Sequence, residues 1–251
     1  MKYLSSLASF PCLALAVVLS GCASSPGGAP AEAAPAEPVR TVQQVALLPV
    51  LSPAGLYSGN RNLALPHWVT AIDNRLKTQS FSSAMEQTRQ AMGPEMRRVL
   101  VNELTAQGYE VEMLDAPAPP ADDPSAIDYT TLPASKPILH VWFEYVGMYS
   151  SAFSANYLPQ VNVSAYLVDA KAVDDPLLHE TYYYGADARG EQYWSLPSAP
   201  KYRYATFDAM IANREEVAEG FQVGVGAVAQ RIARELRSRF GDPKAATTAS
   251  R

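Results

Sequence analysis

The side chains that could carry acid–base or metal chemistry are thinly spread. The three histidines are His67, His140 and His179. His140 and His179 fall in segments that read as strands of one meander, so they can approach each other, with Glu144 and Glu180 in the same two segments. Two readings stand side by side: partly buried strand histidines, or a metal pair completed by one of the glutamates. No His-Glu-x-x-His and no paired-cysteine spacing supports the metal. Glu144 and Glu180 could also serve a hydrolase, if one cleft held both and set their pKa values apart. A serine hydrolase would want its nucleophile on a Gly-x-Ser-x-Gly elbow, and the chain has none. Gly224-Val225-Gly226 sits inside a helical pattern with no phosphate-binding pattern after it. Asn162-Val163-Ser164 matches a glycosylation sequon. The expectation is therefore a protein that is not an enzyme, with no catalytic residues, no metal and no cofactor.

The cysteines point elsewhere. Lys2 and the apolar run 7–19 read as an export signal over residues 1–21. The run is short of the about 20 apolar residues of a membrane span, and Pro11 interrupts it. Leu19-Ser20-Gly21-Cys22 matches the bacterial lipobox, an aliphatic residue and two small ones before a cysteine. Cleavage before Cys22 would leave its thiol to take a diacylglyceryl group and its amine a third chain, palmitate-like anchors contributing about 0.8 kcal/mol per buried methylene. The other reading is an ordinary secretory signal with a chance cysteine. Cys12 leaves with the signal, so the mature chain keeps no thiol for a disulfide. Residue 23 is Ala rather than Asp, and by resemblance to lipoproteins of enteric bacteria this implies the periplasmic face of the outer membrane.

The chain has 251 residues, 20 basic and 25 acidic, for a net charge of −5. Loss of residues 1–21 removes only Lys2 from this balance, giving −6. A mildly acidic protein without basic clusters is a poor nucleic-acid binder. Residues 22–40 hold the lipidated Cys22 and a Pro/Ala-rich tether that cannot bury enough to fold, with an extended reach on the order of 50 Å. Residues 41–240 are long enough for a single domain with a full core. Residues 241–251 read as a disordered tail.

Aromatic residues cluster late in the chain. Tyr182, Tyr183 and Tyr184 are consecutive, and Tyr193, Trp194, Tyr202 and Tyr204 crowd a Pro-containing loop. The hairpin tip at 149–159 adds Tyr149, Phe153 and Tyr157. Tyr and Trp bury much area at low entropic cost, which favours them at interfaces. These seven residues, Tyr149, Phe153, Tyr157, Tyr193, Trp194, Tyr202 and Tyr204, are the candidate surface for a partner or a glycan. The alternative is that they pack beside the sheet.

The elements that would carry these residues follow from periodicity. Val45–Leu51 is apolar on both faces and reads as a central strand. Residues 66–77 predict a short helix with Trp68, Ile72 and Leu76 on one face. A second helix starts at the capping-box spacing Ser83-Ala84-Met85-Glu86. Gly93-Pro94 marks a break or restart before Met96, Leu100 and Leu104, and Gly108 stops it. Tyr109, Val111 and Met113 alternate as a strand, and residues 115–137 form a surface loop. Strands at 138–149, 160–169 and 177–185 have short connections, which makes them an antiparallel meander. The last helix lies within 206–240; Asn213 and Glu216 could cap a restart in it. Gly220, Gly224 and Gly226 make sense there if its backbone packs close to the sheet. The expected fold is α+β, in the order β-α-β-β-β-β-α, a mostly antiparallel sheet with helices on one face.

The early VALLPV strand, the helix ending NELTAQGYEV and the hairpin PQVNVSAYLVDAKAVDDPLLHETYYYG together resemble the periplasmic lipoproteins related to CsgG, LpoB and the N-terminal domain of TolB. The resemblance covers roughly residues 44–240. It implies a lipoprotein of the cell envelope that serves as an accessory or assembly factor and binds protein partners. It also leaves open a subunit of an oligomeric secretion or transport assembly, hence a homo-oligomer. No segment reads as a membrane-spanning hairpin of a secretion channel.

Overall fold

The computed structural model describes residues 42–61, 67–116, 119–120, 123, 125–150 and 155–241, without the side chains of 67–70. The export signal, Cys22, the tether, Phe153, the His67 and Trp68 side chains and the tail beyond Gly241 lie outside the described residues.

Among the described residues the fold is α+β. Its strands are β1 (Gln44–Leu47), β2 (Tyr57–Gly59), β3 (Glu110–Met113), β4 (Ile138–Ser150), β5 (Tyr157–Val168), β6 (Leu178–Gly185) and β7 (Ser195–Leu196). Its helices are α1 (His67–Ala84), α2 (Glu86–Ala106), α3 (Phe207–Ala212) and α4 (Arg214–Phe240). The sheet order is β3-β1-β4-β5-β6-β7, with β2 paired to the far end of β4. The meander β4-β5-β6 is antiparallel as its short connections require. The rest is parallel: β1 with β3 and β4, β2 with β4, and β6 with β7. The sheet is therefore mixed. A chain that leaves β1, crosses two helices and returns enters β3 from the same end, and pairing is then parallel. The short β2 and β7 had no periodicity to announce them.

One face of the sheet carries the main core. Val163, Ala165 and Leu167 of β5 and Tyr182 and Tyr184 of β6 pack under Val217, Phe221, Val225, Val228, Ile232 and Leu236 of α4, with Met96, Leu100 and Leu104 of α2 beside them. Gly224 is needed for that approach, because a Cβ there would lie 2.7 Å from the Tyr184 ring and 3.0 Å from Val161. Gly220 lies against the Tyr202 ring in the same way. Asn213 precedes α4, but its side chain donates backward to Ala209 O at 2.7 Å rather than capping the new helix.

Three helix expectations are corrected. α2 does not break at Gly93-Pro94; it runs through both residues. Proline removes the N–H that would reach the carbonyl four residues back, and that carbonyl, Gln90 O, instead accepts from Ser52 Oγ at 2.8 Å. Gly93 lets the 50–52 segment come near enough to do this, since a Cβ at 93 would meet Ser52 N at 2.6 Å. On α1, Ile72 and Leu76 are exposed rather than packed, and the helix buries Phe81 instead. Its polar side dresses the outer edge of β2. Thr78 Oγ1 accepts from Ser58 N at 3.1 Å and donates to Ser58 O at 2.7 Å. Asn74 does the same for Asn60, at 2.7 and 3.1 Å. Ser83, expected as a cap, lies inside α1 and bonds Gln79 O.

The 115–137 segment is more than a surface loop. It makes a short 3-10 turn at Tyr129–Thr131 and buries Tyr129 and Leu132 with Leu48, Ile138 and Val168 as a small second core. This covers one end of the sheet face opposite the main core.

Candidate functional site

The site is the remainder of that opposite face, and a β-bulge shapes it. Phe143 pairs with Val163 and Tyr145 with Asn162, so Glu144 is an extra residue in β4. Strand side chains alternate between faces, and one extra residue reverses the alternation. Val141 and Phe143 face the main core before the bulge, and Val146 and Met148 face it afterwards. Tyr145, Gly147 and Tyr149 therefore join Asn162, Gln160 and Tyr183 on the side without helices.

The polar groups there form a connected set. Glu144 Oε1 accepts from Trp142 Nε1 at 2.8 Å and from Ser164 Oγ at 2.7 Å. Ser164 Oγ in turn lies 2.8 Å from Thr181 Oγ1. Toward β2, Gly185 holds φ +84, and any Cβ at that position would collide with Pro159 O. The turn it makes delivers Asp187. One carboxylate oxygen of Asp187 accepts from Arg61 Nη1 at 2.6 Å and the other from Asn162 Nδ2 at 2.9 Å. Arg61 also donates to Gln160 Oε1 at 2.9 Å and lies 4.0 Å above the centre of the Tyr149 ring. Burial pushes the Tyr149 hydroxyl up to about 12, against the opposing pull of the Arg61 charge. Asn162 is buried and its Oδ1 has no hydrogen-bond partner.

Between β6 and the loop after it runs a groove of about 610 Å³, lined by His179, Glu180, Thr181, Tyr183, Asp187, Arg189 and Trp194. The Trp194 ring meets Tyr183 edge-on at 5.4 Å. Beyond the groove Tyr145 is 57% exposed, and Tyr57 and Tyr193 are 39% exposed.

The seven aromatic residues named from sequence divide. Trp194 and Tyr149 border this face, whereas Tyr193 leans to the helix side, where its hydroxyl donates to Glu180 and its carbonyl accepts from Arg231 of α4. Tyr157, Tyr202 and Tyr204 do not border it: all three are buried. Tyr157 exchanges both main-chain hydrogen bonds with Tyr204, at 2.7 and 3.0 Å. The hydroxyls of Tyr202 and Tyr204 reach Glu219 at 3.1 Å and Glu216 at 2.8 Å on α4. Tyrosines can go inside when a carboxylate at the helix rim satisfies the hydroxyl, and α4 supplies one for each.

The histidines do not meet. Tyr166 of β5 stands between them, paired with His140 on one side and His179 on the other. His140 is buried, 4.7 Å from the Trp142 ring centre and 2.9 Å from the Tyr129 hydroxyl. Burial pulls its pKa down to about 4, so the ring is neutral at neutral pH. Glu144 and Glu180 do not share a cleft either. Glu180 turns to the helix side, where Arg239 lies 3.6 Å away and the Tyr193 hydroxyl donates to it. Among the described residues no three His, Cys, Asp or Glu side chains cluster as metal ligands, and no helix is long and apolar enough to cross a membrane.

Sequence reasoning missed Tyr57, Arg61, Tyr145 and Asp187. The bulge hid Tyr145, and distant turns place Arg61 and Asp187. Asn162 and Ser164 are legible as the polar half of an alternating strand, a pattern that their place in a sequon obscures.

The chain matches no protein-family model and no curated protein. Among solved structures it is similar to a DUF330 protein from Xanthomonas campestris, at 10% identity and TM-score 0.34, covering 86% of this chain and 93% of that one. A second likeness, to an uncharacterized protein, has 10% identity, TM-score 0.26 and coverages of 77% and 95%. A third, to a homolog of neuraminyllactose-binding hemagglutinin from Helicobacter pylori, has 13% identity, TM-score 0.23 and coverages of 84% and 96%. Likenesses this loose support no reading of the site.

Proposed function

We propose that this chain is a lipoprotein of the bacterial envelope that acts without catalysis, as an accessory or assembly factor gripping a protein partner with the helix-free face of its sheet. The observation that carries the reading is the make-up of that face. Tyr57, Tyr145, Tyr149, Tyr183, Trp194 and Arg61 gather on it, with the most exposed of them uncovered. Tyr, Trp and Arg are the residues that dominate binding energy at protein interfaces. The lipobox at Leu19–Cys22 supplies the anchor, and the tether sets the working distance from the outer membrane.

The test is photo-crosslinking of the full-length chain in cells, with the photoreactive group at position 145. A discrete adduct that disappears in Trp194→Ala, while Cys22→Ser abolishes fatty-acid labelling and membrane retention, is the expected result. Tyr202→Ala is the control for folding, because it removes a buried ring and should lower stability by about 3–5 kcal/mol. No adduct from position 145 in a chain that is labelled and folded would refute the binding surface.

A further inference from the structure

We propose that the outward edge of β6, over residues 178–182, is a slot in which an extended segment of the partner protein lies as an added strand. This rests on the reading of the chain as a protein binder and names how the partner is held.

The main chain of β6 has a clear parity. Ala186 N donates inward to Pro159 O at 2.9 Å, whereas Tyr183 N donates outward to Trp194 O at 2.9 Å. Even-numbered residues of β6 therefore serve the ladder with β5, and odd-numbered ones face the edge. β7 is two residues long and pairs only with Tyr183 and Tyr184. Among the described residues, no strand lies beside the outward N–H and C=O groups of His179 and Thr181.

The protein treats its other edges differently. The outer edge of β2 is closed by Thr78 and Asn74 of α1, which bond the main chain at Ser58 and Asn60. The outer edge of β3 carries Glu110 and Glu112, the latter paired with Lys136 at 2.7 Å, and charge on an edge discourages pairing. Among the described residues β6 has no such closure of its main chain at 179 and 181, and the Tyr193 hydroxyl that reaches Glu180 does so on the helix side. The loop after it bends toward α4, where Arg231 donates to Tyr193 O and Arg239 approaches Glu180. The edge is thereby left facing the groove.

That groove suits a strand. His179, Thr181 and Tyr183 project into it at alternate positions, with Trp194 and Asp187 bounding it at the β7 end. A segment added here gains main-chain hydrogen bonds from the edge and side-chain selectivity from the groove, the division of labour seen in strand addition. The slot also continues into the exposed tyrosines of the proposed partner surface.

The test uses the full chain and a phage-displayed library of random nonapeptides. Enriched peptides should slow amide exchange at His179 and Thr181 on the wild-type protein while leaving Tyr182 unchanged. Methylating the peptide's main-chain nitrogens at alternate positions should weaken binding at least tenfold. His179→Pro deletes an outward N–H and no inward one, so it should keep the thermal midpoint and lose binding to the same degree. No enrichment, enriched peptides that leave exchange at 179 and 181 unchanged, or tolerance of methylation at every position would each overturn the slot. A crosslink from position 145 that persists in His179→Pro would leave the partner surface standing and remove only the strand.

Discussion

Glu144 and Glu180 stand on opposite faces of the sheet. Glu144 accepts from Ser164, whose hydroxyl also meets Thr181, while Glu180, the neighbour of Thr181, turns to Arg239 on α4. The two carboxylates therefore cannot work as a pair on one substrate. In a double-mutant cycle, Glu144→Gln and Glu180→Gln should change stability additively, to within about 0.5 kcal/mol, as read from urea unfolding. A coupling energy above about 1 kcal/mol would contradict this separation.

Buried His140 should make the fold acid-sensitive. Its pKa falls from about 6.5 in the unfolded chain to about 4 in the folded one. Between these values the unfolded chain binds the proton and the folded chain does not. The contribution is thus fully present above pH 6.5 and is lost progressively down to about 4, reaching about 3 kcal/mol in total. Urea midpoints measured across this window should fall with pH, and His140→Phe should flatten the slope. An unchanged slope would assign the acid sensitivity to other groups.

The glycines of α4 should respond in opposite directions. At Gly224 a methyl group meets the Tyr184 ring and Val161, so Gly224→Ala should destabilise by about 1–3 kcal/mol. Nothing lies within 4 Å of a Cβ at Gly226, so Gly226→Ala should stabilise by up to about 1 kcal/mol through helix propensity. Thermal melts of the two variants decide the matter by sign.

Ser52 stands in for the amide that Pro94 lacks. Ser52→Ala should cost about 1 kcal/mol, the worth of a hydrogen bond to a carbonyl left unmatched. Pro94→Ala restores an N–H to Gln90, so in that background the Ser52→Ala penalty should shrink. Equal penalties in both backgrounds would mean that the Ser52 hydroxyl acts elsewhere.

Much of the fold was legible because its signals are local. The α4 stripe from Val217 to Leu236, the alternation in Val161–Leu167 and the short turns of the meander each depend on neighbouring residues, and each appears in the structure. The crowding of Gly224 on Tyr184 follows from the same reasoning. What escaped depends on distant partners. Pro94 reads as a helix break until Ser52 arrives from 42 positions earlier. Tyr202 and Tyr204 read as surface until Glu219 and Glu216 are set beside them. Ile72 and Leu76 keep the spacing of a packed face, yet the opposite side of α1 is the one engaged, because the edge of β2 needs polar side chains. Arg61 and Asp187 are 126 positions apart, and no pattern in the chain links them.

The extra residue at Glu144 makes β4 two half-strands in opposite phase, so the count of residues governs which side of the distal half is wet. Removing Glu144 alone would send Val146 and Met148 outward and drive Tyr145 and Tyr149 into the oily interior, with every amino acid of that half unchanged in kind. The aromatic face is in this sense written in punctuation rather than vocabulary: a single insertion turns an ordinary packed ribbon into one that shows its aromatics to the outside.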